Sequence, residues 1–424
     1  MRFLTWLLPM LLAAQTYDVV LQNGRVVDPE SGLDAVRSVG VSGKKIAAVS
    51  AHPLRGDVVV DASGLVIAPG FIDLHSHGQT PENYRFKAMD GVTTALELEV
   101  GVSPVSEWYT DRDGRALINF GASTSHIQAR MLAMKDAGDF LHGAVPANRR
   151  PNPEEQAAIV ALDQKGLDEG ALGVGLSLVY TYAATPPEVL ELFHAAAKRK
   201  RTVFVHMRYV GDASPGVIEA LQEVIADALV AGAAVHIVHI NSTALMRTPE
   251  ALRVIDAARA RGLDVTTEAY PYIASGGRVQ VFNNTEEMLR TAIGHPLVMI
   301  ASDGRIEEGH GHPRSAGTYA RVLGKYVRED KVLSLMDAIR KSSLMPAQRM
   351  ESMSPQMREK GRLRVGADAD ITVFDAKRVI DRATYENPAQ YSEGFRYVMV
   401  GGTFVVREGK LLEGVAPGSA IRAR

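Results

Sequence analysis

One stretch, APGFIDLHSH at residues 68–77, constrains the fold of this chain most. An apolar run entered through Pro-Gly is typical of a buried strand. Because side chains alternate along a strand, His75 and His77 project from one face at its C-terminal end. Two imidazoles placed in this way can chelate one metal ion, although a pair of loop histidines after a core strand would look the same. Three possible partners each close a separate apolar run downstream: His206, His239 and Asp303.

Composition limits what the chain can bind. The 424 residues include no cysteine, so disulfides, thiolate zinc sites and a cysteine nucleophile are excluded, and histidine and carboxylate must hold any metal. A hydrophobic content of 46% allows a large core, and the length allows one barrel plus a smaller domain. The formal net charge of −2 gives no electrostatic footprint for nucleic acid. We therefore expect a small-molecule substrate and no nucleic-acid partner.

Residues 1–15, MRFLTWLLPMLLAAQ, have the pattern of a cleaved signal peptide. A single Arg precedes an apolar core that is too short to span a bilayer, and small residues follow at Ala13 and Ala14. We therefore expect an exported chain, periplasmic or secreted, without stable membrane insertion. A retained membrane anchor and a buried first strand are the alternatives.

The middle of the chain, residues 68–347, alternates strand-like and helix-like segments. Strand-like runs include 171–176, 203–206, 234–239, 264–268 and 297–303, and amphipathic segments include 187–200, 216–231 and 248–261. This cadence is typical of a parallel α/β sheet, and the number of repeats predicts a TIM-like (β/α)8 barrel. Chemistry in such barrels lies at the C-terminal ends of the strands. Two glycine-rich segments, 273–278 and 307–312, are expected to form loops over this end.

The two ends of the chain, residues 16–67 and 348–424, have the pattern of short strands joined by tight turns. The Asn-Gly pair at 23–24 and the Ser-Gly pair at 42–43 are predicted hairpin turns. Strands left alone at each end would present open sheet edges. We therefore predict that both termini build one small β-sandwich domain beside the barrel.

Alternation along the strands predicts which polar side chains face the barrel axis. His236 and His239 are three residues apart and face opposite sides, so we choose His239, at the strand end, and predict a packed or hydrogen-bonded His236. Glu97 and Glu99 share one face of the second strand, where a buried pair of charges is costly unless a cation neutralises it. Glu99 is nearer the strand end and is the predicted ligand, with Glu97 behind it; the reverse assignment stays open.

With these motifs the chain resembles the amidohydrolase superfamily and, within it, the N-acyl-D-amino-acid deacylase (D-aminoacylase) family. The motif at 68–77 marks the superfamily. The HPR at 312–314, followed by RVLGKYVRE at 321–329, is specific to the deacylases. Other motifs that carry the resemblance are GVTT at 91–94, HMR at 206–208, YPY at 270–272, SDG at 302–304 and GTY at 317–319.

The resemblance implies a metallohydrolase barrel with a flanking β-sandwich and one or two Zn²⁺ ions. Glu99 takes the place of a cysteine that the family usually has at the end of strand two, and is our candidate bridging ligand. Two-metal members of the superfamily often carry a carboxylated lysine on strand four, but residues 171–178 contain no lysine. Asp303 would serve both as a ligand and as the general base and acid. The implied ligands are His75, His77, Glu99, His206, His239 and Asp303.

The implied reaction is deacylation of N-acyl-D-amino acids via a metal-bound hydroxide. The resemblance assigns recognition of a substrate carboxylate to Arg314, because a guanidinium fork suits two-point contact, with Tyr272 assisting. Asn241 stands where the family has a lysine, which leaves the substrate itself open. Weaker candidates for substrate contacts are Tyr180, Tyr182, Arg208 and His126.

Two other functions stay open at this point. One is a D-dipeptidase or a cyclic-amide hydrolase of the dihydroorotase or hydantoinase kind, against which the missing strand-four lysine argues. The other is an inactive exported binding protein on the same fold. Buried ionisable groups without a metal would be expensive, which argues against the second. Oligomer formation is possible.

Overall fold

The computed structural model of the protein describes residues 16–136 and 144–423. The predicted signal peptide at residues 1–15 lies outside the described residues. Within the described ranges, no helix is both long enough and apolar enough to cross a membrane.

Eight parallel strands form the barrel, and each pairs with the next along the chain. At the open seam, the Asp303 amide donates to the His75 carbonyl at 2.7 Å, and the Gly78 amide donates to the Gly304 carbonyl at 3.0 Å. These bonds bring the carboxyl ends of the first and last strands together, and the predicted TIM-like fold is confirmed. The strands, β1 to β8, are Phe71–Asp73, Val92–Val102, Asn119–Ser125, Gly173–Ser177, Thr202–His206, Ala234–Ile237, Val265–Ala269 and Val298–Ile300.

Helices follow the strands and cover the barrel. The three predicted amphipathic helices are present at Pro186–Lys198, Val217–Ala231 and Thr248–Ala260. The first of these begins at a capping box between Thr185 and Glu188. The other α-helices are Pro81–Met89, Val105–Thr110, His126–Ala133, Ala144–Asn148, Pro153–Asp168, Ile240–Ala244, Glu286–Gly294, Arg314–Arg321, Leu335–Ser342 and Leu344–Met350. A π-helix spans Val322–Glu329, and 3₁₀ turns span Leu178–Tyr180, Leu245–Arg247 and Pro355–Glu359.

Strands from both ends of the chain form one nine-stranded sheet. It has an apolar core of its own, to which Val39, Val41, Ile371 and Met399 contribute. The sheet domain is therefore built from both termini, as expected, although its exact boundaries stay a prediction. The strands are Thr16–Asp28, Leu33–Ser42, Lys45–Ser50, Arg55–Asp61, Val66–Pro69, Ile371–Phe374, Phe395–Val400, Thr403–Arg407 and Lys410–Leu411.

One of the two predicted turns is wrong. The Asn-Gly pair at 23–24 lies inside the strand Thr16–Asp28, whose pairing register shifts between Leu21 and Gly24. Asn23 has a φ of 60°, so the pair supplies the left-handed residue of a bulge instead of a hairpin turn. At 42–43 the prediction is confirmed, because Gly43, with a φ of 56°, joins two antiparallel strands.

Both segments expected as loops over the barrel mouth contain short antiparallel hairpins. The first pairs Ala274–Gly276 with Gln280–Phe282, and the second pairs Ile306–Glu307 with His310–Gly311. We call the first of these, residues 274–282, the mouth hairpin.

Candidate metal centre and active site

Six side chains of the types that bind metals meet at the carboxyl ends of the barrel strands. Histidines from the ends of β1, β5 and β6 face carboxylates from β2 and from the segment after β8. The donor atoms of two sets of three lie within 4.8 Å of one another: His75, His77 and Glu99, and His75, His239 and Asp303. His206 joins them, with its Nδ1 atom 3.2 Å from His239 Nε2. The structure thus brings together all six residues that were expected as ligands.

Glu99 lies between two pairs of histidines. We call His75 and His77 the first pair and His206 and His239 the second pair. Glu99 Oε2 faces the first pair at 3.7 and 3.4 Å, whereas Oε1 is 3.4 Å from His206 Nδ1. One oxygen directed at each pair is the arrangement expected of a bridging carboxylate.

Ser177, at the end of β4, fixes this orientation of Glu99. Its hydroxyl donates to Glu99 Oε1 at 2.5 Å, and both side chains are buried. β4, which lacks the lysine often found in two-metal members of the superfamily, therefore contributes a hydrogen bond to Glu99 on β2. An isolated serine in a strand has no distinctive pattern, so Ser177 could not be recognised from the sequence.

The electrostatics of the cluster favour a cation. Burial opposes protonation of His77, yet Glu97 and Asp303 raise the pKa of its imidazole to about 10. Burial would raise the pKa of the Asp303 carboxyl, but Arg314 and the first pair hold that pKa well below its usual range. Burial lowers the pKa of His239 to about 3, so its imidazole is neutral and able to bind a metal. Buried carboxylates that attract positive charge, next to neutral imidazole, fit a divalent metal ion.

A glutamate holds the second ring nitrogen of each histidine in the first pair. His75 Nδ1 is 2.6 Å from Glu268 Oε1, and His77 Nδ1 is 3.1 Å from both carboxylate oxygens of Glu97. A histidine that donates its Nδ1 proton to a carboxylate presents the Nε2 lone pair to a metal. Glu97 therefore lies behind the histidines, whereas Glu99 faces the centre.

Glu268 is a site residue that no sequence motif indicated. It is 1% exposed on β7 and also accepts from His236 Nε2, at 3.2 Å through its other oxygen. His236 Nδ1 in turn lies 2.8 Å from Thr266 Oγ1, so the prediction of a hydrogen-bonded His236 is confirmed. The sequence did contain one signal, because Glu268 is the only charged residue of its strand. Burying a charge is costly unless it is paired, so such a glutamate is expected to have a partner.

We expect Glu268→Gln to weaken zinc binding about 10- to 100-fold, because the amide holds His75 less firmly in its Nε2-binding tautomer. Zinc affinity measured by chelator competition tests this. The matched control is Glu287→Gln, which alters an exposed glutamate and should leave the affinity unchanged. Equal affinity in all three proteins would mean that Glu268 does not support the centre.

The backbone at two of the six residues is strained. His239 has a φ of 29° and Asp303 a φ of 50°, values that non-glycine residues seldom adopt. Each lies just past the end of a barrel strand, where the chain turns away from the sheet. Strain of this kind persists where the surroundings fix a side chain in a required position.

A cavity of about 360 Å³ opens over the cluster. Tyr180 is among its lining residues, as expected, with its ring centroid 5.5 Å from that of His206. The mouth hairpin contributes Ser275 and the glycines beside it. The cavity thus joins the metal-ligand cluster to the barrel mouth.

Arg314 lies in this cavity and is 6% exposed. Its Nη2 donates to Asp303 Oδ2 at 2.8 Å, and its guanidinium carbon is 4.3 Å from the centre of the Tyr270 ring. Its Nε and Nη1 atoms are buried without a hydrogen-bond partner among residues 16–136 and 144–423. A buried guanidinium with N–H groups left over is suited to bind an anionic ligand.

Tyr272 does not line the cavity, and its expected assistance to Arg314 stays a prediction. Its hydroxyl is 3.3 Å from Asp381 Oδ2, and Arg321 stacks on its ring at 4.7 Å. A hydrogen bond from the Tyr272 amide to the Tyr270 carbonyl, at 3.0 Å, forms a γ-turn after β7. Tyr270 consequently faces the cavity and Tyr272 points away, although both come from the same motif.

Arg208 and His126 also lie outside the cavity lining, and their substrate contacts stay predictions. Arg208 forms a two-point ion pair with Glu223, at 2.9 and 2.7 Å, and donates to two backbone carbonyls. His126 is fully buried, with Nε2 2.9 Å from Glu188 Oε1. Both side chains fix loops and helices around the barrel. Their place near strand ends in the sequence did not reveal which way they point.

Histidines and carboxylates at the carboxyl ends of a parallel barrel, under a cavity with a buried arginine, define the class of metal-dependent barrel hydrolases. A model of the amidohydrolase family matches residues 66–406. The chain belongs to the amidohydrolase family.

Similar proteins include two deacylases from Alcaligenes xylosoxydans xylosoxydans. An N-acyl-D-glutamate deacylase is 30% identical, over 92% of this chain and 93% of its own length. A D-aminoacylase is 27% identical, over 93% and 96%. The crystal structure of N-acyl-D-glutamate deacylase from Bordetella bronchiseptica, complexed with zinc and a phosphonate inhibitor, matches with a TM-score of 0.85. It is 28% identical and covers 96% of this chain and 100% of that one.

Proposed function

We propose that this protein is a zinc-dependent hydrolase of linear amides that deacylates N-acyl-D-amino acids. The observation that carries the proposal is the contact between Arg314 and Asp303, because it means that a buried guanidinium lies beside the metal-ligand cluster. A substrate with a carboxylate next to its amide fits both parts of the site at once. The similarity to two deacylases over nearly the whole chain supports the same reaction.

The six clustered residues fit zinc, which binds imidazole nitrogen and carboxylate oxygen. The first pair and Glu99 Oε2 would hold one ion, and the second pair and Glu99 Oε1 would hold another, with Asp303 beside them. A bound zinc ion lowers the pKa of a water ligand to about 7 and polarises a carbonyl group.

Asp303 is the proposed general base and acid. Its Oδ1 lies 3.2 Å from His77 Nε2 and 3.4 Å from His75 Nε2, which directs this oxygen at the centre. Because Arg314 and His75 keep its pKa low despite burial, Asp303 is ionised at neutral pH and can accept a proton from the attacking water. It then passes that proton to the departing amine, which leaves as a neutral group.

Arg314 is the proposed receptor for the substrate carboxylate, through its Nε and Nη1 groups. We expect Arg314→Lys to lower kcat/KM for an N-acetyl-D-amino acid about 10- to 100-fold, because lysine cannot replace the two-point contact. Steady-state kinetics test this. The matched substrate is the corresponding amino-acid amide, which lacks the carboxylate and should lose much less. An equal loss of kcat/KM for both substrates would show that Arg314 does not bind the substrate carboxylate.

The proposal includes export of the chain, which the signal-like pattern at residues 1–15 supports. Cell fractionation combined with N-terminal sequencing of the mature protein tests it. An intact N-terminus in the cytoplasmic fraction would contradict export.

The function is tested by amine release from N-acyl amino acids and dipeptides, and by formation of the N-carbamoyl amino acid from hydantoins, whose ring opening frees no amine. We expect the zinc-loaded protein to hydrolyse N-acetyl-D-amino acids at least about 100-fold faster than their L-enantiomers, D-dipeptides or hydantoins. Such a ratio is typical of a site that forms specific hydrogen bonds to polar groups of its substrate. A preference for hydantoins would establish the cyclic-amide alternative instead. Stoichiometric zinc without turnover of any of these substrates would contradict the proposed deacylase activity.

A further inference from the structure

A second cavity lies between the barrel strands and two of the helices that cover them. Its volume is about 210 Å³, which is room for roughly seven water molecules at about 30 Å³ each. Its walls come from the ends of β2 and β3, the loop after β2, and the helices His126–Ala133 and Pro153–Asp168. Within residues 16–136 and 144–423, it shares no lining residue with the cavity over the metal-ligand cluster. We call it the outer cavity.

The walls of the outer cavity are largely apolar. The apolar side chains that line it include Val102, Val105, Ala129, Leu132 and Leu162. Two charged residues also line it, and they form an ion pair with each other: Lys165 Nζ is 3.8 Å from Glu169 Oε1. The side chain of this lysine is 69% exposed, so the pair lies at the rim. An apolar interior with a solvated rim suits a small ligand that has an apolar part.

Asp163 is a buried acid in the lining of this cavity. It is 1% exposed, and neither of its carboxylate oxygens has a hydrogen-bond partner among residues 16–136 and 144–423. The hydroxyl of Thr124, also in the lining and 2% exposed, has no partner in the same described part of the chain. Burial raises the pKa of the Asp163 carboxyl to about 6, so it is ionised above neutral pH. A buried carboxylate without donors is costly, which points to a ligand that supplies them.

The buried basic groups near Asp163 are bound to another carboxylate. Arg130 Nη1 donates to both oxygens of Glu188, at 2.5 and 2.7 Å, and His126 Nε2 lies 2.9 Å from Glu188 Oε1. His126 favours the ionised form of Asp163 through its charge, but its Nδ1 has no hydrogen-bond partner among the described residues. The protein therefore leaves the Asp163 carboxylate free to accept hydrogen bonds from a ligand.

We propose that the outer cavity binds a small primary ammonium ion with a short apolar chain, through the Asp163 carboxylate and the Thr124 hydroxyl. The ammonium group brings the positive charge and the donors that the carboxylate lacks, and Thr124 Oγ1 can accept a further hydrogen bond from it. The chain covers the apolar walls. A metal ion fits this site less well, because one carboxylate and one hydroxyl are too few protein ligands for zinc or calcium. The site is separate from the proposed hydrolase function and does not depend on it.

The test is an NMR titration of the zinc-loaded protein with n-butylammonium chloride at pH 8. The amine is charged at this pH, because alkylammonium groups such as that of lysine have a pKa of about 10.4. We expect one site per chain with a Kd of about 1 mM or below, which is within reach of a ligand with so few atoms. n-Butanol has the same shape without the charge and should bind at least about tenfold more weakly.

Three variants locate the binding site. Asp163→Asn keeps the shape of the side chain without its charge and should weaken n-butylammonium binding at least about tenfold. Glu154→Gln, the matched control, alters an exposed carboxylate on the same helix and should bind as the unmodified protein does. Ala129→Met leaves Asp163 in place but fills the cavity from the facing helix, and should also lower binding at least about tenfold.

Several results would overturn the proposal. Absence of saturable n-butylammonium binding to the unmodified protein would leave Asp163 as a counter-charge for His126 alone. Unchanged binding in Asp163→Asn would mean that the ion binds elsewhere, and equal binding of n-butanol would exclude an ammonium site. If Asp163→Asn does not fold, Ala129→Met decides, because unchanged binding in that variant contradicts the site as well. None of these measurements uses amide hydrolysis, so failure here leaves the proposed function intact.

Discussion

Asp303→Asn should lower kcat for an N-acetyl-D-amino acid by about 10²- to 10⁴-fold, the usual contribution of a general base and acid. Asparagine keeps the size of the side chain and can still contact Arg314 through its amide oxygen, but it cannot take a proton from water. Arg314 and His75 hold the pKa of the Asp303 carboxyl well below its usual range against the effect of burial, so the unmodified group is ionised at neutral pH. Steady-state kinetics on zinc-loaded protein measure the effect.

The matched control for this prediction is Asp113→Asn, which alters an exposed aspartate away from the cavity and should retain full activity. Zinc content measured on both variants separates loss of the proton acceptor from loss of the metal. An Asp303→Asn protein that kept more than about a tenth of the activity would remove Asp303 from its proposed role, given that usual contribution.

Lys87→Met should destabilise the barrel by about 3 to 5 kcal/mol, the usual cost of removing one partner from a buried ion pair. Lys87 is 1% exposed, and its Nζ donates to Asp73 Oδ2 at 2.7 Å and to Ser302 Oγ at 2.5 Å. Asp73 Oδ1 accepts the amides of Ser302 at 3.0 Å and His75 at 3.3 Å. The lysine thus neutralises the carboxylate that joins β1 to the segment after β8 beneath the metal-ligand cluster.

Urea unfolding followed by fluorescence measures this loss as a lower midpoint. The exposed Lys377→Met is the matched control and should leave the midpoint unchanged. Adding Asp73→Asn to Lys87→Met should recover part of the stability, because the buried charge is removed with its partner. Equal midpoints for Lys87→Met and the unmodified protein would contradict the structural role of this pair.

The barrel could be predicted because its signals are local and repeated. Apolar runs such as 203–206 and amphipathic segments such as 216–231 keep their period whatever they pack against. The ligand positions followed because each histidine or carboxylate closes one of these runs. Strand alternation placed His236 and His239 on opposite faces, whereas only the distance to the strand end favoured Glu99 over Glu97.

Side-chain direction beyond the strand ends could not be predicted in this way. The γ-turn after β7 points the Tyr272 side chain away from the side that Tyr270 faces, and no periodic pattern in the sequence predicts this turn. Arg208 and Glu223 meet only because the fold brings β5 and the following helix together. The same holds for Glu268, whose contact with His75 joins a residue on β7 to one just past the end of β1.

The bulge at the 23–24 pair illustrates a further limit. An Asn-Gly dipeptide supplies left-handed residues, which a two-residue turn and a bulge both use. The choice between them depends on the strand that pairs alongside, here Leu33–Ser42. The Asn-Gly dipeptide therefore predicted the left-handed conformation of Asn23 correctly, but it did not predict that this residue lies in a bulge instead of a hairpin turn.

Amine release from N-acetyl-D-leucine during zinc titration of the chelator-treated protein tests the central claim most directly. If the six clustered residues form a catalytic zinc centre, turnover is absent without metal and rises to a plateau at one or two zinc ions per chain. Turnover that persists in the stripped protein, or zinc that binds at that stoichiometry without producing turnover, would contradict the account.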